Sequence, residues 1–281
     1  GLPLPPALGS GSHSTPRPGS VEVRKTHEGE CDVKTPEGAT LRDPGLAVGR
    51  GRDMKPRVHL VLLWHQHQPL YRGPSSTDGR VRFVFPWVRL HAIRDYYSMA
   101  AVVAEYPGVH LVINLTPVLL LQIQEYAERS ATDRAMDLTL RPAEELGPEE
   151  REELLSSFFD AHWHHQIFPH ARYAELFDQR AQGRPFALQD LRDLQMWSNL
   201  AWFGQEFRTG AVELATGHVM SVHELVEQGA GYSAAQIRGM VAEQIEVLRA
   251  VIPIHDLLQR QGQVEVSTTP FYHPILPLLV D

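Results

Sequence analysis

The stretch VHLVLLWHQHQP, residues 58–69, sets a short apolar run directly against a polar turn closed by proline. A run of this length bounded by a turn reads as a buried strand. Side chains at i and i+2 of a strand point the same way, so His65 and His67 face one site. They stand at the strand's C-terminal end, where α/β barrels carry their chemistry. The spacing leaves three readings open. The pair could bind a metal ion such as zinc. It could donate to and accept from substrate hydroxyls. Or each ring could be satisfied by backbone.

Working outward, PWVRLHAIRDYYSMAAVVAEYPG (86–108) places Leu90, Ile93, Tyr97, Ala100 and Ala104 at helical spacing. Pro86 suits its entry and Pro107-Gly108 stops it. VHLVIN (109–114) predicts a second buried strand. Thr116-Pro117 supplies an N-cap and a first-turn proline for the helix PVLLLQIQEYAER. Strand, helix, strand, helix points to a parallel α/β sheet or barrel. From about residue 130 to 262 the pattern is helical with no clear strand. Pro148 and acidic residues open one helix. Leu188, Leu191, Leu194, Trp197 and Ala201 share a face of another, and Ser233 with Gln236 predicts a capping box before a long third. Such a connection is too long for an ordinary crossover and reads as a helical insertion. QVEVSTTP (263–270) returns to strand character, followed by FYHPILPLLVD. Three strands do not close a barrel, so the expected fold is the N-terminal portion of a barrel, truncated.

The second chemical signal is GQVEVSTTPFYHPILP. Glu265 is a carboxylate in an expected buried strand, with His273 shortly after. It needs a ligand, or an arginine or backbone amides as partners. Asn114 ends the second strand at the equivalent level, where it could face the same site or serve a local turn. HWHHQIFPH (162–170) is the densest histidine cluster, and His162 and His165 could share a helix face. It lacks the carboxylate spacing of a zinc helix. Trp163, Trp197 and Trp202 could stack on a sugar or pack the core of the helical part, and the core is expected for most of them.

The 281 residues carry a net charge of −8, which argues against a nucleic-acid partner. No stretch is long and apolar enough to cross a membrane. Residues 1–56 are rich in Pro, Gly, Ser and charge, and are expected to be a disordered tail. They form no secretory signal. Met54 is read as the natural start, with residues 1–53 foreign to the native protein. Cys31 is the single cysteine, so no disulfide can form within the chain, which fits the cytoplasm.

Together with FPWVRLHAIRDYYSM and INLTPVLLLQ, the segments WHQHQP and GQVEVSTTPFYHPILPLL resemble glycoside hydrolase family 57, in order and from about Pro56 to Asp281. This is the group of α-amylases, amylopullulanases and 4-α-glucanotransferases. The resemblance implies a (β/α)7 barrel and a retaining mechanism on α-glucans or maltooligosaccharides, with no cofactor. Two carboxyl groups about 5–5.5 Å apart would do the chemistry. The nucleophile Glu and acid/base Asp of the family would follow residue 281, so none of the present carboxylates is assigned to catalysis and the fragment itself is expected to be inactive. His65, His67, Glu265, His273 and Asn114 are expected to bind substrate, without a metal. Two rivals remain: a metal-dependent amidohydrolase or carbohydrate deacetylase using His65 and His67, and a non-catalytic sugar-binding module. Oligomeric state is open.

Overall fold

Three parallel strands, drawn from both ends of the described chain, carry the fold. The computed structural model describes residues 60–74 and 79–279. The expected tail, its Met54 and Cys31, and Val58 and His59 of the first apolar run lie outside those residues. In order the elements are β1 (Leu63–Gln66), β2 (Arg82–Phe83), α1 (Trp87–His91), a π-turn (Ala92–Tyr96), α2 (Tyr97–Ala104), β3 (Leu111–Leu115), α3 (Pro117–Arg129), β4 (Thr132–Asp133) and α4 (Arg134–Leu140). Then follow α5 (Pro148–Ser157), a second π-turn (Trp163–Ile167), α6 (Ala171–Ala181), α7 (Leu188–Leu200), α8 (Gln205–Thr209), β5 (Val212–Glu213), β6 (Val219–Met220), α9 (His223–Gln228), α10 (Ala234–Arg260) and β7 (Val264–Ser267).

The main sheet has the order β1-β3-β7, all parallel, with His65 opposite Asn114 and Asn114 opposite Ser267. Its two faces differ. Leu111, Ile113, Leu115 and Val264 are buried on one face, and Trp64 and Val266 are partly buried there. Helices α2, α3 and α10 contribute to the same core. Each fully buried aliphatic side chain of this kind contributes about 1.5–3 kcal/mol. The opposite face carries Leu63, Val112 and Glu265 in one layer and His65, Asn114 and Ser267 in the next. There Leu63 is 59% exposed and Glu265 is exposed.

The sequence expectation of a buried Glu265 is therefore corrected. The strand is buried on one side only, and Glu265 is on the other. Nor does β1 fill the apolar run: Leu60 and Val61 are exposed, and the ladder starts at Leu63, where Val112 comes alongside. The helix expected over 86–108 is broken by the π-turn, in which the Ile93 carbonyl accepts a bond from the Gly204 N–H (2.9 Å). It ends at Ala104, which is exposed; Val103 takes the buried place.

The segment from 130 to 262 is helical as expected, apart from three two-residue strands: β4, which pairs with β2 before the segment, and β5, which pairs with β6. Ser233 and Gln236 form the reciprocal capping box that opens the 27-residue α10. Thr116 stands at the N-cap of α3 in extended conformation, but its hydroxyl makes no cap bond. Leu191, Leu194, Trp197 and Ala201 are buried in one core, and Leu188 at the start of α7 is exposed. Trp197 and Trp202 are buried while Trp163 is exposed.

Candidate functional site at the strand ends

At the C-terminal ends of β1, β3 and β7 the backbone gathers three imidazoles. Strand alternation brings His65 and His67 to one side, with ring centroids 5.8 Å apart and planes 14° from parallel. His273 arrives from the segment after β7, 4.6 Å from His65 and 5.0 Å from His67. Its backbone is left-handed (φ 52°), and its N–H bonds the Pro270 carbonyl at 2.8 Å. A positive φ costs a residue other than glycine some strain, and such strain collects at functional positions.

Hydrogen bonds fix the orientation of the layer. The Asn114 amide nitrogen donates to Ser267 Oγ (3.0 Å), which leaves Asn114 Oδ1 as the acceptor for His65 Nδ1 (2.7 Å). His65 Nδ1 thus carries hydrogen, which leaves Nε2 as the ring's second polar atom. Ser267 Oγ accepts from Asn114 and keeps its own proton to donate. The His67 imidazole is pushed below its ordinary pKa by burial, then by His273 and His65 beside it, so it is neutral at pH 7. Its Nδ1 is buried without a partner. Of eight such orphaned buried polar atoms among the described residues, four belong to Gln66, His67, Thr116 and Thr269 at or just beyond these strand ends. Buried polar groups are nearly always paired, so their concentration here marks a place suited to a polar ligand.

The structure thus brings together His65, His67, His273 and Asn114. Glu265 shares their face but sits one layer lower, with no hydrogen-bond or ion-pair partner among the described residues. Ser267 belongs to the site and was missed by the sequence reading, although its i+2 relation to Glu265 placed it on the same face. No group of three His, Cys, Asp or Glu residues among the described residues is placed to hold a metal ion. That covers the exposed cluster around His162, His164 and His165, where His162 and His165 lie 4.5 Å apart on the second π-turn. No helix among the described residues is long and apolar enough to cross a membrane.

Polar side chains gathered beyond the carboxyl ends of parallel strands define an α/β protein with a strand-end ligand site. The chain belongs to glycosyl hydrolase family 57, whose family model matches residues 61–281. No curated protein and no solved structure matches it. The chemistry that goes with this membership is, in general terms, glycoside hydrolysis or glucan transfer.

Proposed function

We propose that the protein acts on α-glucans or maltooligosaccharides, as a retaining hydrolase of amylase or amylopullulanase type or as a glucanotransferase. In this reading the three-stranded sheet is part of a (β/α)7 barrel and the strand ends form a sugar subsite. Imidazoles, an amide and a hydroxyl offer the donors and acceptors that sugar hydroxyls require. The observation that carries the reading is this imidazole triad, tied through His65 to Asn114 and Ser267.

Each residue has a role. His65 meets a sugar hydroxyl at Nε2. His67 and His273 border the same sugar, and Asn114 holds the His65 ring in place. Glu265, the single carboxylate in the three sheet strands, accepts a hydroxyl at the next layer. It does not perform the chemistry, which needs two carboxyl groups about 5–5.5 Å apart flanking the scissile bond. No cofactor takes part.

Calorimetric titration with maltoheptaose tests the reading. His67→Ala should weaken binding about tenfold or more, as expected when a hydrogen-bonding group facing a ligand is removed. Glu265→Gln should lower turnover of maltooligosaccharides in the active protein while leaving the fold intact. Unchanged binding and turnover in both variants would remove these residues from the site. The rival reading, a metal-dependent amidohydrolase or carbohydrate deacetylase using His65 and His67, has no three-residue ligand group behind it among the described residues. Near-stoichiometric zinc in the purified protein, lost on His65→Ala, would put that reading first.

A further inference from the structure

A cleft of about 260 Å³ opens in the helical part, between the segment that links β2 to α1 and the helices α4, α5 and α7. It is separate from the strand-end residues, none of which lines it. One wall is aromatic. Phe85 is 50% exposed, and Trp87 and Trp202 meet at 5.9 Å. Trp202 is held in place by the edge of His91 (5.3 Å) and by the Arg94 guanidinium 5.6 Å from its ring centre.

The other wall is polar but nearly balanced in charge. Arg134 and Glu153 both line the cleft and are bonded to each other, with Nε to Oε1 at 2.9 Å. Arg89 at the floor is neutralised by Asp133 (2.8 Å). Asp160 is different. It is an exposed residue whose carboxylate accepts no hydrogen bond from the described residues, and partial desolvation raises its pKa against the opposing field of Arg180. Ser157 and Ser198 also line the cleft, each donating to a backbone carbonyl, and Ser198 Oγ accepts from the Asn199 amide (3.3 Å).

This combination selects a ligand class. An unpaired carboxylate repels phosphates and other anions. Paired charges and hydroxyls make a poor seat for a purely apolar molecule. A neutral molecule with C–H faces and vicinal hydroxyls suits both walls: its faces pack on aromatic rings, and two adjacent hydroxyls donate to one carboxylate. The volume is just under the range of about 300–1,000 Å³ usual for drug-sized ligands, enough for a short oligosaccharide end and too small for a peptide helix.

We propose that this cleft is a second carbohydrate site, in which Asp160 accepts from a vicinal diol while the sugar packs on Phe85 and Trp87. That the sugar is an α-glucan rests on the function proposed above. The aromatic wall reaches the strand-end region by direct contacts. Gln68, next to His67, donates to the Tyr96 hydroxyl (3.0 Å), Tyr96 lies 6.2 Å from His91, and His91 touches Trp202.

The test is calorimetric titration with maltotetraose of the wild type, Asp160→Asn, Phe85→Ala and His67→Ala, with melting temperatures as the fold control. Two binding events are expected. Asp160→Asn and Phe85→Ala should each weaken one of them about tenfold, as loss of one charge-assisted hydrogen bond or one stacking face does, and His67→Ala should leave that event in place. If Phe85→Ala lowers the melting temperature, Ser157→Trp, which fills the cleft, replaces it. The proposal is overturned if the cleft variants bind as wild type and His67→Ala removes all binding. Should maltotetraose fail to bind, cellotetraose, xylotetraose and chitotetraose are titrated in turn. Binding of one of these, lost on Asp160→Asn, keeps the cleft as a sugar site and sinks the α-glucan reading. Absence of any oligosaccharide binding that depends on Asp160 or Phe85 sinks the cleft proposal.

Discussion

The Arg89 network among the helices and the strand ends treat polar groups in opposite ways. Arg89 is 1% exposed, yet every arm of its guanidinium is used: Nε and Nη2 bond the Asp133 carboxylate at 2.8 and 3.1 Å, and Nη1 bonds Asn199 and Gln244 at 2.9 and 2.7 Å. Asp133 is closed in turn by the Tyr126 hydroxyl (2.8 Å) and the Met136 N–H (2.7 Å). At the strand ends, by contrast, His67 Nδ1 and the Thr116 and Thr269 hydroxyls are buried with nothing to bond. Full pairing fixes one packing of the helices, and partial pairing leaves capacity for something that arrives from outside.

That contrast is open to attack, first where it should cost most. Asp133→Ala leaves the Arg89 charge buried and unpaired, and should lower unfolding free energy by about 3–5 kcal/mol in urea titration. A loss below about 1 kcal/mol would mean that the network is not a structural lock.

Next comes His170, which stacks 4.5 Å from Trp197 and accepts from Arg208 (3.2 Å). Burial first, and then Arg208, lower its pKa from 6.5 to about 4. The unfolded chain therefore takes up this proton before the folded one as pH falls. The stability is complete above about pH 6.5 and is lost between there and pH 4. The loss should be about 1–2 kcal/mol once solvent screening of the half-buried ring is allowed for. His170→Gln should flatten this part of the stability profile, as followed by thermal melts across the same range. A smaller effect is expected from Ser233→Ala, which removes the cap of α10 and should cost about 1 kcal/mol.

The smallest change in stability should come from the candidate site itself. Glu265→Gln should shift unfolding free energy by under about 0.5 kcal/mol, since Glu265 is exposed and has no bonded partner among the described residues. A loss of several kcal/mol would turn this part of the strand-end cluster into architecture and weaken the contrast.

Much of this was legible in the sequence where the signal is local. Thr116-Pro117 and Ser233 with Gln236 gave the starts of α3 and α10 because capping is written within four residues. His65 and His67 were paired by strand alternation alone. The Arg89 network was not legible, because its partners lie 44 to 155 positions away and no local pattern joins them. Glu265 was misjudged for a related reason. Its apolar neighbours report that one face of β7 is covered, and are silent about the other. The π-turn of 92–96 was invisible because one extra residue in a turn scarcely disturbs helical periodicity.

The sheet has a consequence for how the molecule forms. Asn114 and Ser267, bonded across β3 and β7, stand 153 positions apart. Closing so long a loop is paid in chain entropy before any contact rewards it. Helix α10 can form locally, and its docking on α3 and α2 carries the start of β7 to the edge of β3. The helices are thus the scaffold on which the site is assembled last. His273, still further along the chain, joins His65 and His67 only once that strand is home. Hydrogen exchange should find β7 among the first elements to open and the centre of α10 among the last.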